Sequence, residues 1–351
     1  MESIHQFINE QKGYFDKGQY PFLQKQLKRV AKNLPYKGLR ILHNIPFTRE
    51  TIVKLETLYV GGADLVVTSP SFMEVDRELV HQFVQAGGDW VPIEKIRHQS
   101  FDITMDCAAE LLDKTSPSIG GVEITGTGTN KYKAAEIDYP VISVDQSKIK
   151  HLEGVLGTGE AFVRAFLELT QENIKGKKMM VFGYGKVGRG IAHHLKNYTQ
   201  DITVVEQKQE HIAQAFHAGF KVLSADDQKN VEASASQMFA IVTATGIKNV
   251  ISDRYNPKAF KAKYLANMGG EDEFGYGFEK KGVMCEKRPI NFFVDQPTLM
   301  RYLDPVFYAH NLGVDLLRFA RLDNGVHPFP SFLAEEIVAE WESIFNEKEY
   351  I

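Results

Sequence analysis

Ten residues, Val181-Phe182-Gly183-Tyr184-Gly185-Lys186-Val187-Gly188-Arg189-Gly190, constrain this chain more than any other stretch. An apolar strand, Lys178–Val181, precedes the glycines and a helix, Ile191–Leu195, follows them. In that setting G-x-G-x-x-G predicts a strand–turn–helix unit that seats a dinucleotide. The first glycine permits the tight turn, the second lets the pyrophosphate approach the backbone, and the third lets helix and strand pack closely. The pyrophosphate then rests on free N–H groups at the positive end of the helix. The next strand, Ile202–Val205, runs into Glu206. That acid lies about 20 residues past the glycines, where a carboxylate bonds the adenosine ribose and disfavours an extra phosphate. The expected cofactor is NAD, although Lys208 two residues on works against the charge of Glu206. Two later strands, Met238–Thr243 and Ala262–Asn267, end in Thr243-Ala244-Thr245-Gly246 and Asn267-Met268-Gly269-Gly270. Ligands of such sheets bind beyond the carboxyl ends of the strands, so both loops are placed at the cofactor edge.

The 351 residues exceed what one ordinary core organises, so a second domain is expected. Before the glycine turn the pattern again alternates. Leu39–Leu42, Asp64–Thr68, Phe101–Met105, Val122–Thr125 and Val141–Val144 read as strands, and Thr51–Leu58, Arg77–Ala86 and Cys107–Leu112 as helices. Alternation of this kind predicts an α/β fold with parallel sheets covered on both faces. A long helix follows Gly154, and Pro330–Phe345 is apolar at helical spacing. We expect a Rossmann domain over 152–324 and a substrate domain over 1–151 completed by a C-terminal helix within 325–351, with the active site in the cleft between them. The net charge of −4 with no Lys/Arg stripe points away from nucleic acid, and no apolar run reaches the roughly 18 residues that span a bilayer. The N-terminal residues lack a signal-peptide core, and Cys107 and Cys285 match no metal or redox spacing, so a reduced cytoplasmic protein without a metal site is expected.

The order GYGKVGRG, Glu206, IVTATG and LANMGG resembles the S-adenosylhomocysteine hydrolases. Similarity continues outside the Rossmann unit. His43 in ILHNIPFTRETIVKLETL resembles that family's histidine segment, and Asp106 in FDITMD its catalytic aspartate. Thr125-Gly126-Thr127-Gly128 resembles the threonine segment that contacts the cofactor, and YPVISVDQSK the stretch with the catalytic lysine, leaving Lys148 or Lys150 for that role. His327 in GVHPFPSF resembles the histidine of the family's His-Pro-Ser-Phe segment, with two residues inserted, and is expected to contact substrate. The resemblance implies bound NAD that is used and regenerated in each turnover. In that family the 3′-hydroxyl of a nucleoside thioether is oxidised to a ketone. A base then removes the acidified C4′ proton, the 5′ thiol leaves, water adds, and the ketone is reduced again. It assigns His43 to acid–base work near 5′ and Asp106 to the base toward C4′. It assigns Gly183, Gly185, Lys186, Val187, Gly188, Glu206, Thr125, Thr127, Thr243, Thr245, Gly246 and Asn267 to the cofactor.

Departures from the family pattern limit what carries over. Glu123-Ile124 stands where the family has an acidic pair, Glu153-Gly154 where it has Asp-Asn, and Thr158 where it has cysteine. Gly269-Gly270-Glu271 replaces Gly-His-Phe. The family's longer tail carries a lysine and a tyrosine that reach a neighbouring subunit's NAD; here Lys348 and Tyr350 lie near Ile351. Each lost partner of a ribose hydroxyl costs about 1–3 kcal/mol, which argues against efficient hydrolysis of S-adenosylhomocysteine itself and leaves the nucleoside-like substrate open. A homo-oligomer is implied, with a dimer expected in place of the family's tetramer. Two other readings stand beside this one. A dehydrogenase of the 2-hydroxyacid type would want an arginine, an acid and a histidine near the nicotinamide, and Arg254 has no evident histidine partner. A non-catalytic NAD-binding protein would tolerate the missing ribose contacts.

Overall fold

The computed structural model describes residues 2–97 and 99–348, so Tyr350 lies outside the described residues. The protein splits into two units, Met1–Lys150 with Met300–Glu347, and His151–Leu299.

The first unit begins with α1 (Glu2–Lys12) and α2 (Pro21–Asn33). Pro21 opens α2 at a position where its missing N–H has no partner to lose, and Leu34 closes it in the left-handed conformation. Strand β1 (Arg40–Asn44) follows. Then come α3 (Arg49–Val60), capped by Thr48, β2 (Asp64–Thr68), and α4 (Arg77–Gln85), capped by Asp76. The short β3 (Asp89–Trp90), β4 (Ile103–Asp106) and β5 (Gly120–Glu123) precede α5 (Gly126–Ala134) and β6 (Pro140–Ser143). A single turn, α6 (Ile149–His151), ends this part of the sequence.

A π-helical turn over Leu152–Gly157 leads into α7 (Thr158–Thr170). The second unit then alternates β7 (Met179–Phe182), α8 (Lys186–Leu195), β8 (Ile202–Glu206), α9 (Gln209–His217), β9 (Lys221–Ser224), α10 (Gln228–Ala235), β10 (Ala240–Thr243), α11 (Val250–Arg254) and β11 (Tyr264–Asn267). The polypeptide returns to the first unit with α12 (Met300–Phe319), β12 (Gly325–Pro328) and α13 (Ser331–Phe345).

Both sheets are wholly parallel. The first runs β12-β6-β5-β4-β1-β2-β3 and the second β11-β10-β7-β8-β9. Strands β4, β5, β7 and β10 are buried at every position, as sheets with helices on both faces require. The α/β, Rossmann-type class read from the sequence is the observed one. Among the described residues no helix is long and apolar enough to cross a membrane.

Three expectations shift. Residues 300–324, assigned above to the Rossmann domain, belong to the first unit, so the division falls at Met300. Helix α12 is tied there by polar bonds. Asp304 accepts from the N–H groups of Phe22 and Leu23 at 2.8 and 2.9 Å, capping α2, and His310 Nε2 lies 3.0 Å from Val122 O. Residues 107–112 form turns and not a helix. Asp106 takes the N–H of Leu111 at 3.0 Å, and Glu123 takes those of Ala108 and Ala109 at 3.1 and 3.0 Å, which holds both alanines at positive φ. Finally, the strand expected to reach Thr125 stops at Glu123, because Thr125 caps α5.

Candidate functional site

The cofactor seat is built in the second unit. Gly183 has φ +90°, and a Cβ there would meet Ala244 O at 2.6 Å. A Cβ on Gly188 would lie 2.0 Å from Gly183 O, so the third glycine is what lets α8 press on the turn. Gly185 differs: it is the residue before α8, no side chain caps that helix, and a Cβ there would meet nothing within 4 Å. Open space beside uncapped N–H groups at a helix start is where an anionic pyrophosphate fits. Lys186 and Val187 open α8 directly behind it. Further along α8, Gly190 brings the helix against the π-helical turn, where its Cβ would fall 1.9 Å from Val155 O, and against α7, where a Cβ on Gly159 would fall 2.2 Å from Gly190 C.

A cavity opens at the carboxyl ends of β7, β8 and β10, with Gly183, Gly185, Glu206, Lys208, Thr245 and Arg254 in its wall. Glu206 is 8% exposed. Its oxygens accept from Tyr184 N, Gln207 N and Lys208 N at 2.7, 2.7 and 2.9 Å, with His211 Nδ1 at 3.3 Å. Burial opposes its ionisation, yet those donors hold its carboxyl below the usual range. Arg254 pairs with Asp226 and reaches Gln207 at 3.2 Å, so its charge is met by Asp226 and Glu206 keeps its own.

The other expected cofactor residues of this unit lie at the same sheet edge. Thr243 Oγ1 donates to Asn267 Oδ1 at 3.0 Å. The Asn267 amide donates to the carbonyls of Gly269, Glu271 and Lys287 and fixes the loop after β11. Thr245 N and Gly246 N are held by Glu273, which also takes the Thr245 hydroxyl at 2.9 Å. Sequence reasoning missed Glu273; in the run Glu271-Asp272-Glu273 nothing marks which acid turns inward.

In the first unit, His43, next to last in β1, and Asp106, last in β4, lie on adjacent parallel strands but on opposite faces. His43 pairs in register with Met105, and Asn44 follows on the other side, where its Nδ2 donates to Asp106 Oδ1 at 2.8 Å. Asp106 also accepts from Cys107 N, Leu111 N and the Tyr132 hydroxyl at 2.8, 3.0 and 2.7 Å. Burial pushes its carboxyl up against those donors. Its neighbour Glu123 is raised as well, by burial first and by Asp106 second. Thr125 gives its hydroxyl to Glu123 at 2.6 Å and accepts from Gly128 N, so its polar groups serve the cap; Thr127 is exposed on α5.

His43 is completely buried, with Nε2 2.8 Å from Lys54 Nζ and Nδ1 unpartnered. Burial, then the charges of Lys54 and His310, push its imidazole well below the usual range. Neither Lys54 nor His310 was singled out from the sequence, since each lies inside an apolar helical run. Lys148 does not join this group. It is exposed and lies 3.6 Å from Glu335, whereas the charge of Lys150 acts on His310. His327 sits on the edge strand β12, half-buried, its Nε2 2.7 Å from Asp323 O.

Fold and seat together define a dinucleotide-binding α/β protein. Residues 155–279 match the model of the S-adenosyl-L-homocysteine hydrolase NAD-binding domain. The protein is 30% identical to an adenosylhomocysteinase of Sulfolobus acidocaldarius over 75% of its length and 67% of the relative's. It is 27% identical to an S-inosyl-L-homocysteine hydrolase of Methanopyrus kandleri, over 72% and 64%. It therefore spans about two thirds of the length of these relatives. The chain belongs to the S-adenosylhomocysteine hydrolase family, as a divergent short member, and its cofactor is NAD. Among solved structures, a dipicolinate synthase polypeptide from Bacillus subtilis shares the fold, with a TM-score of 0.53 at 16% identity, over 82% of this protein and 100% of that one.

Proposed function

We propose that this protein acts on a nucleoside thioether, or a closely related sugar-like substrate, through transient oxidation at the 3′ position. The observation that carries the reading is the seat at Gly185: uncapped α8 N–H groups, open space, and an ionised Glu206 at the next strand end. The names of the relatives, adenosylhomocysteinase and S-inosyl-L-homocysteine hydrolase, supply the substrate class. NAD, held at Gly183, Gly185 and Glu206, would supply a hydride acceptor there.

The protein's own residues divide the remaining work. His43, neutral and with a free Nδ1, handles the proton at the 5′ leaving group. Asp106 was expected as the base toward C4′, but four donors saturate its oxygens. We assign it instead to holding the 107–111 loop, and we assign the lysine role to Lys150 rather than Lys148. The NAD-loaded protein, mixed with S-adenosylhomocysteine and S-inosylhomocysteine in turn, should release free thiol with only transient reduced nicotinamide. Net accumulation of NADH would support a simple dehydrogenase. Binding without any change in the nicotinamide spectrum would leave a non-catalytic NAD protein.

A further inference from the structure

Lys54 lies in α3 with no exposed surface, and its side chain bonds to His43 Nε2. No carboxylate among the described residues acts on it; burial is the influence on its proton, and it pushes the ammonium well below its usual range. The groups that face the pair are neutral or cationic. From α12, His310 gives its Nε2 proton to Val122 O of β5, which fixes that ring as a neutral tautomer. Asn311 of α12 donates to Gln26 of α2 and lies 3.5 Å from the Lys54 carbonyl. The charge of Lys150 also acts on His310. His43 thus has one ring nitrogen bonded to an amine and the other, Nδ1, buried and unpartnered.

We propose that Lys54 and His43 form a two-residue proton relay that carries a single proton and delivers it at His43 Nδ1. This deepens the proposed function, on which the identity of the proton acceptor rests. In the loaded form the Lys54 ammonium donates to Nε2, and the ring proton is on Nδ1. When Nδ1 gives its proton to the departing 5′ thiolate, an N–H of Lys54 gives its proton to Nε2. The Nδ1–H bond and one Nζ–H bond break; an S–H bond and the Nε2–H bond form. Lys54 is left as a neutral amine that accepts from Nε2. As water adds at 5′, Nδ1 takes one of its protons, Nε2 returns its proton to Nζ, and the loaded form is restored. An ordinary lysine holds its proton too tightly for this exchange; burial without a counter-ion is what loosens it. A carboxylate partner at Nε2 would favour the charged imidazolium, whereas an amine keeps the ring neutral in both forms.

The test is nitrogen-15 NMR of the histidine-labelled, NAD-loaded, full-length protein between about pH 5 and about pH 9, with His43 assigned by difference from His43→Gln. The expected result is a tautomer exchange at His43, Nδ1–H at low pH and Nε2–H at high pH, without imidazolium between. Lys54→Arg, which keeps its proton throughout, should lock the Nδ1–H tautomer. Lys54→Met should abolish the exchange and leave His43 in one neutral tautomer across the range, because burial, the first cause of its lowered imidazole, is untouched. One fixed tautomer in the wild-type protein, an imidazolium there, or a Lys54→Met spectrum like the wild type would each overturn the relay. Should either variant fail to fold, the wild-type protein decides alone: the Lys54 Cε resonance must move at the same midpoint as His43. Tautomer exchange without turnover of any nucleoside thioether would retain the relay and overturn the reaction; turnover with a fixed tautomer would do the reverse.

Discussion

Gly185→Ala separates cofactor binding from folding. The residue already has φ −71°, which alanine adopts freely, and its Cβ would meet no atom within 4 Å. The fold therefore loses only the poorer helix-start preference of alanine, about 1 kcal/mol, or a fall in Tm of about 2–4 °C. The added methyl occupies the space through which a pyrophosphate would reach the α8 N–H groups. A charge-assisted hydrogen bond is worth about 1.5–3 kcal/mol, so losing one weakens NAD binding by about 10- to 150-fold. Gly190→Ala gives the opposite pattern, since its Cβ would lie 1.9 Å from Val155 O and force α8 off its neighbour. Titration of cofactor-stripped protein with NAD, beside thermal unfolding of both variants, reads the two effects apart. A folded Gly185→Ala protein that binds NAD like the wild type would refute the placement of the pyrophosphate at this turn.

Burial raises the Asp304 carboxyl to about 8, above its value in the unfolded state, so its stability contribution is full at low pH and fades as pH climbs from about 4 to about 8. Asp304→Asn removes that slope; denaturation curves of the two proteins should diverge in the variant's favour across this window, and parallel curves would contradict the assignment. Glu206→Ala should weaken NAD by about tenfold while improving NADP relative to NAD in the same titration, because the charge beside the ribose is gone. Lys148→Ala removes only an exposed contact to Glu335 and should change stability by less than about 0.5 kcal/mol and leave NAD binding unaltered.

The Rossmann unit was legible because each of its parts leaves a local mark. Strand, glycine turn, helix and Glu206 are contiguous in sequence, and the chemistry depends on their spacing. Residues 107–112 misled for a related reason. Their composition is helical, but the N–H groups of Ala108, Ala109 and Leu111 are captured by Glu123 and Asp106 from neighbouring strands, a tertiary effect without local trace. Helix α12 was assigned to the wrong unit because its ties, Asp304 to α2 and His310 to β5, run to residues nearly 200 or more positions away. Lys54 was invisible on the same grounds: among Ile52, Val53 and Leu55 it reads as a surface position of an apolar helix, and only the meeting of α3 with β1 brings it to His43. His43 and Asp106 were expected just past strands ending at Leu42 and Met105, whereas both lie inside strands, His43 in β1 and Asp106 as the last residue of β4. Their opposite orientations follow from a one-residue offset in strand register, which motif order does not encode.

The most direct test of the account is to unfold freshly purified protein with acid and identify the small molecules released by mass spectrometry. Stoichiometric NAD, absent from the supernatant before unfolding, is expected, since the seat at Gly185 and Glu206 is built into the fold. Recovery of no dinucleotide, together with no binding of added NAD, would contradict the account at its centre.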